Sequence, residues 1–542
     1  MKNRWIRVLA LVLCAALLCG CTFLEDVKTI ADAMAEYVKE ESGQVTKFSE
    51  MEYIRPDMTV LEKALEDACE AAKGSDMDRI TRTVNDFYDL YDEFYTNYSL
   101  SDLHYCHDLT DGYWEEEYNF CVDNSSWVDA ALEELYYALA KSPCLEELES
   151  EDNFGPGFFD SYQGENLWDE TFVELLNRES ELQGRYYELV NISYDYEEGT
   201  EEFQSACGDE MAQLLVELIK VRREMAEYWG YDSYAEFATD FYYYRDYTVE
   251  QSKEYLEEIQ KELVELYRQV NESGIWDDAY DFSTELQTLG YVEEMARNMG
   301  GMVEEAFDVM KEGRLYDIAY GENKYSSSFE VYLTSYWVPF IFLCPDMSSY
   351  DHLTFAHEFG HFCNDYASYG SYAGIDVLEV FSQGMEFLSL CYVDGSEDLT
   401  RVKMADCLCV YVEQAAFADF ELRMYEIPLE ELSAQKLMEL YEEVALDYGF
   451  DSIGYDPWEF VSINHYYTNP MYIISYVVSN DAALQLYQME LEEEGKGLDC
   501  FEDNLTTQEQ YFLAFLEEAG LESPFTEARL ASVRKTLEEA LT

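Results

Sequence analysis

Apolar residues recur every three or four positions along almost the whole chain from Asp26 onward, and only 9 prolines interrupt 542 residues. A period of that kind, sustained without a low-complexity linker, confines the chain to helix packed on helix. One stretch shows the pattern. Thr248-Val249-Glu250-Gln251 has the form of a capping box, and Leu256, Ile259, Leu263, Leu266 and Val270 follow at helical spacing with charges between them. That is an amphipathic helix burying one face. Similar patterns run through residues 26–95, 125–150, 165–190, 205–230 and 430–447. There is no fixed-period repeat, and the length suffices for one large core or two lobes. The expected class is mainly α.

One segment departs from this period. Phe329 to Leu343, FEVYLTSYWVPFIFL, is rich in aromatic and β-branched residues and reads as two short strands broken near Pro339. It precedes the motif HEFGH at His357 to His361, so a small sheet is expected beside that helix. An exposed edge strand there would bind an extended peptide through backbone hydrogen bonds. An ordinary buried hairpin is the alternative.

Acidic side chains outnumber basic ones 115 to 33, a formal net charge of −82. That sign argues against nucleic acid and anionic headgroups as partners, and the excess reads as a solvated surface. At the amino end Lys2, Arg4 and Arg7 precede the apolar run Val8 to Leu18, and Leu18-Cys19-Gly20-Cys21 follows. The run is too short to span a bilayer comfortably. It resembles a bacterial lipobox, which implies cleavage before Cys21, lipidation of that thiol and an extracytoplasmic protein anchored to the bacterial membrane. A plain secretory signal is the alternative. Removing residues 1–20 takes away three basic residues, leaving 30 against 115, or −85. Eleven cysteines follow Cys21 without any CxxC pair, and read mainly as buried apolar thiols.

The chemistry is concentrated in HEFGH. His357 and His361 are four positions apart, so on a helix both imidazoles face one side and can reach a single Zn²⁺. Glu358 stands beside them, placed to take a proton from a metal-activated water and deliver it to a leaving amine. Gly360 leaves room beside the metal. Four of the six histidines, His352, His357, His361 and His465, fall in the stretch that would form the site. A third ligand is required, and Glu379 is the candidate, with a solvated helix carboxylate as the alternative. Glu379, Gln383 and Glu386 share one helical face, and Glu386 is placed to orient a ligating histidine. His104, Cys106, His107 and Asp108 also offer ligand types, but their spacing matches no standard structural zinc pattern, and a turn in the helical region is the simpler reading.

These residues resemble the peptidase family of thimet oligopeptidase and bacterial oligoendopeptidase F. HLTFAHEFGH is similar to that family's zinc helix and VLEVFSQGMEFL to its third-ligand helix, with eighteen residues from His361 to Glu379. VRREMAEYWGYDSYAEFA at 221–238, KYSSSFEVYLTSYWVPFIFL at 324–343 and KLMELYEEVALDYGF at 436–450 stand in the family's order. The resemblance covers approximately residues 205–540. It implies a leader at 1–20, a helical region at 21–204 and a catalytic region at 205–542. The segment His465 to Tyr476, HYYTNPMYIISY, is similar to the family's stretch of metal-facing histidine and tyrosines. His465 and Tyr476, and after them Tyr472, are thereby implied as donors to a developing oxyanion, with core packing as the alternative. Val380-Phe381 stands where many members carry alanine-proline, and SYVVS where others carry a YATG-type sequence. These departures leave the subfamily and the tyrosine roles open but do not touch the ligands.

The resemblance implies a two-lobed, helical gluzincin-type body with a deep channel and one zinc at its floor. The implied activity is zinc-dependent hydrolysis of internal bonds in short, unstructured peptides. An exopeptidase with the same chemistry and a non-catalytic peptide-binding lipoprotein are the competing readings.

Overall fold

The computed structural model describes residues 45–150, 153–163, 170–193, 196–197, 199–276, 280–371 and 373–541. The expected leader and the lipidation at Cys21 lie outside these residues. No helix among the described residues is long and apolar enough to cross a membrane. Helices dominate, as the apolar period requires, with one small three-stranded sheet.

The chain forms two compact units, neither of them a continuous segment. The first comprises Met1–Asn166, Gly300–Met347 and Phe362–Ser371; the second comprises Leu167–Met299, Ser348–His361 and Tyr372–Thr542.

In the first unit, helices Met58–Ala72, Met77–His107 and Gly112–Leu139 pack on one another. Each starts at an aspartate whose carboxylate accepts from the first turn: Asp57 from Thr59, Asp76 from Arg79 and Asp111 from Tyr113. Part of the acidic excess is thus spent on helix starts, where it also meets the positive end of the dipole. Leu61, Leu65, Ile80, Val84, Phe87, Phe94, Val128 and Leu135 fill the core between the three.

The sheet belongs to this unit and has the order β1-β3-β2, with β1 at Tyr316–Asp317, β2 at Phe329–Leu333 and β3 at Val338–Phe342. β2 pairs antiparallel with β3, and β1 pairs parallel to it. The two expected strands are present, and the break between them falls just before Pro339. It lies at Thr334–Tyr336 and at Trp337, whose φ of 57° makes the turn. Pro339 sits inside the central strand opposite Tyr332, which is uncommon because proline lacks a ladder donor. The alternation explains it. Ile341 and Leu343 donate to Leu315 and Asp317 on the β1 side, so the nitrogen of Pro339 faces the same side, beyond the two residues of β1.

In the second unit, helices Ile375–Tyr392 and Ile474–Glu492 pack along one another and are buried on nearly every face. Apolar residues cover most of their faces, and the polar ones enclosed with them, among them Asp376, Glu379, Glu386 and Asp481, need partners inside the protein. The predicted capping box is present: Gln251 donates its backbone N–H to Thr248 Oγ1 at 3.1 Å, and Thr248 N–H donates to Gln251 Oε1 at 2.9 Å. All five predicted apolar positions of the helix Val249–Glu272 are buried.

Candidate metal centre

Helix Asp351–Ser368 carries His357, Glu358 and His361, and helix Ile375–Tyr392 carries Glu379 and Glu386. The two cross closely because of Gly360. A Cβ on that residue would lie 2.4 Å from the carbonyl oxygen of Phe381 and 2.7 Å from Cα of Ser382. The glycine therefore makes room for the neighbouring backbone rather than for an ion. The crossing sets the His357–His361 face against Glu379.

One nitrogen each of His357 and His361 and one oxygen of Glu379 lie within 4.8 Å of one another, the one such group of three among the described residues. His357 Nε2 is 3.7 Å from Glu379 Oε2, too far for a hydrogen bond. Two ligands each about 2.0–2.2 Å from a tetrahedral zinc stand about 3.3–3.6 Å apart, so the separation fits two donors sharing one ion. Two imidazole nitrogens and a carboxylate oxygen suit that ion in kind as well as in spacing.

Each donor is held from behind. His357 Nδ1 is 2.8 Å from Glu386 Oε1, which assigns the proton to Nδ1 and leaves Nε2 for a metal. Glu379 accepts from Tyr472 Oη at 2.7 Å and from Ser382 Oγ at 3.0 Å. Burial would depress the His357 imidazole, but the hydrogen bond it donates to Glu386 and the charges of Glu358, Glu386 and Glu379 lift it to about 9. His361, with less help, is pushed by burial down to about 4. Burial also lifts the Glu358 carboxyl to about 7, against the pull of His357 and with the help of Glu379 and Glu386.

His465, Tyr472 and Tyr476 form a tight triangle in the same unit. His465 Nε2 is 3.3 Å from Tyr476 Oη, and the rings of Tyr472 and Tyr476 are 5.1 Å apart. Burial keeps the histidine neutral and, together with the Glu379 charge, holds both phenols protonated. All three therefore retain a donor proton. The Tyr472 hydroxyl already donates to Glu379, and one proton of the His465–Tyr476 pair lies in their mutual contact, from which it would have to turn to meet a substrate oxygen.

Other sequence candidates fall elsewhere. His352 turns to Ser283 Oγ at 2.8 Å and stacks on Tyr291. His104 stacks on Trp114, Cys106 contacts Asp102, His107 pairs with Asp317 at 2.6 Å, and Asp108 accepts from Thr110. These four close the end of helix Met77–His107 and share no ligand point. Sequence reasoning missed Lys403, Arg245 and Asp376, which are buried close to the site residues. A lone lysine inside the apolar run Val402–Cys409 is the signal that was available, since lysine is rarely buried without a partner.

Comparisons with known proteins bear on the fold in which these residues sit. Residues 48–166 match the model of the Peptidase M3 N-terminal domain. A crystal structure described as an oligoendopeptidase F shares the fold with a TM-score of 0.79 at 20% identity, covering 92% of this chain and 99% of that one. PZ peptidase A with an inhibitor gives 0.77 at 20% identity, over 91% and 99%. An oligoendopeptidase F from Bacillus anthracis str. Ames gives 0.76 at 20%, over 92% and 98%. No curated protein sequence matches the chain.

Proposed function

We propose that this chain, whose amino-terminal domain and fold are those of the M3 peptidases, is a zinc-dependent endopeptidase acting on internal bonds of short, unstructured peptides. The observation that carries the reading is the convergence of His357, His361 and Glu379 with the buried Glu358 on the same helix. A zinc ion held by those three residues supplies Lewis acidity toward the scissile carbonyl and lowers the pKa of the attacking water. Glu358, buried beside the two histidines on the same helix, would take a proton from the attacking water and hand it to the leaving amine. His465 and Tyr476 donate hydrogen bonds to the carbonyl oxygen as its negative charge grows. Tyr472, donating to Glu379, keeps that carboxylate turned toward the two imidazoles.

The partners in this reading are unfolded peptides and, through an acylated Cys21, the outer face of a bacterial membrane. Lipid labelling of wild type and Cys21→Ala tests the anchor: incorporation into both sinks it. For the activity, zinc content and cleavage of a terminally blocked, quenched peptide library are measured together. Internal cleavage by the zinc-loaded protein supports the endopeptidase. Cleavage confined to unblocked peptides makes it an exopeptidase, and stoichiometric zinc without cleavage of either makes it a binding protein.

A further inference from the structure

Helix Glu397–Cys409 of the second unit buries a lysine. The side chain of Lys403 is 2% exposed, and an ammonium taken out of water costs several kcal/mol unless its charge is met. Here it is met twice. Nζ lies 2.7 Å from Glu386 Oε2 and 2.9 Å from Asp406 Oδ2, above the ring of Phe387 at 5.0 Å. Asp406 is three residues along the same helix and is an ordinary local partner. Glu386 is not local. It belongs to the helix that carries Glu379, and its other oxygen faces His357 Nδ1 at 2.8 Å.

A continuous line of contacts therefore runs from Asp406 through Lys403 and Glu386 to a candidate metal ligand. A carboxylate gripped at one oxygen still turns about its terminal torsion, which is broad. Gripped at both, it has one orientation. We propose that Lys403 is a positioning residue of the metal centre: by pinning Oε2 of Glu386 it fixes Oε1 against His357 Nδ1, and so aims His357 Nε2 at the point shared with His361 and Glu379. The inference rests on reading that point as a zinc site, and it reaches one shell further out. Groups behind a ligand set both ring orientation and donor strength, and their loss commonly weakens metal binding by about 10–100-fold.

The test is zinc affinity, measured by competition with a chromophoric chelator on the full chain, without peptide hydrolysis. Lys403→Met is expected to bind zinc about 10–100-fold more weakly than wild type. Glu386→Gln should lose a comparable factor, and the double variant should be no weaker than Glu386→Gln alone, because the lysine acts through the glutamate. Lys403→Arg, which keeps a cation within reach of Glu386, should recover most of the affinity; it serves as the comparison if the Met variant does not fold. Lys403→Met binding within about two-fold of wild type, losses that multiply in the double variant, or an Arg variant as weak as Glu386→Gln would each overturn the proposal. A wild type that binds no zinc would instead overturn the reading of the centre itself.

Discussion

Within the second unit, the helices that carry His357, His361 and Glu379 and the segment that carries His465 and Tyr472, which leads into Tyr476 in the first turn of helix Ile474–Glu492, are held by different physics. The helices satisfy their own backbones and are set against each other by shape, through Gly360 at the backbone of Phe381–Ser382. The segment from Ile463 to Ile473 has only a four-residue helix, His465–Thr468, and its buried peptide groups need partners from outside. Arg222 donates to the carbonyls of Tyr466 and Tyr467 at 2.5 Å and pairs with Glu179. Arg245 donates to Met471 O at 2.9 Å and to Ser475 Oγ at 2.8 Å while pairing with Asp376, one turn before Glu379. Glu421 accepts from Met471 N–H at 2.8 Å, and Tyr243 Oη donates to Pro470 O. Packing sets the two ligand helices against each other, buried charge at Glu386 and Lys403 turns His357 between them, and buried charge also holds the segment that carries His465 and Tyr472. The lesson is that the two halves of one centre should fail separately.

The largest expected effect is on the tethered segment. Arg245→Met leaves Asp376 without its buried cation and should destabilise the protein by about 3–5 kcal/mol in urea unfolding. Its zinc affinity should remain within a few-fold while kcat falls; equal loss of zinc would break the distinction. Gly360→Ala should do the reverse. The methyl group meets backbone that cannot move aside, so a loss of about 1–3 kcal/mol in thermal unfolding and reduced zinc content are expected. Tyr472 links the two regions, and Tyr472→Phe removes one hydrogen bond to a carboxylate, worth about 1.5–3 kcal/mol at most. Zinc titration should show a several-fold weakening without loss of fold.

The last effect is set by pH and sharpens the role of Glu421. Burial lifts its carboxyl to about 8 despite Arg222 and Arg245. The folded protein therefore holds a proton that the unfolded chain, titrating near 4.5, has released. Stability from this group is present below about pH 4.5 and is lost as the pH rises toward about 8. Glu421→Gln keeps the acceptor for Met471 and removes that loss, each unit of the difference being worth about 1.4 kcal/mol. Chemical unfolding at pH 9 should find the variant more stable than wild type, and at pH 5 close to it. A wild type whose stability rises from pH 5 to 9 relative to the variant contradicts the assignment.

Much of the packed half was legible in the sequence, because the signals are local: two histidines four positions apart, a capping box, an apolar face. The apolar helix bearing Glu379 was read from the same kind of pattern. The tethered half was legible only through its family likeness. Arg245 meets Asp376 across 131 positions and Ser475 across 230, and no periodicity encodes such a partner. Gly360 was noticed for the wrong reason, since a helical glycine signals a close approach without saying what approaches. Pro339 marked the strand break only to within two residues, since it lies inside the central strand, where the shortness of β1 permits it.

The most direct measurement compares wild type with Glu358→Ala, recording bound zinc and the rate of cleavage of a blocked peptide in the same samples. The account predicts one zinc per chain in both and a kcat lower by about 10²–10⁴-fold in the variant. A zinc-loaded variant that cleaves as fast as wild type would contradict it.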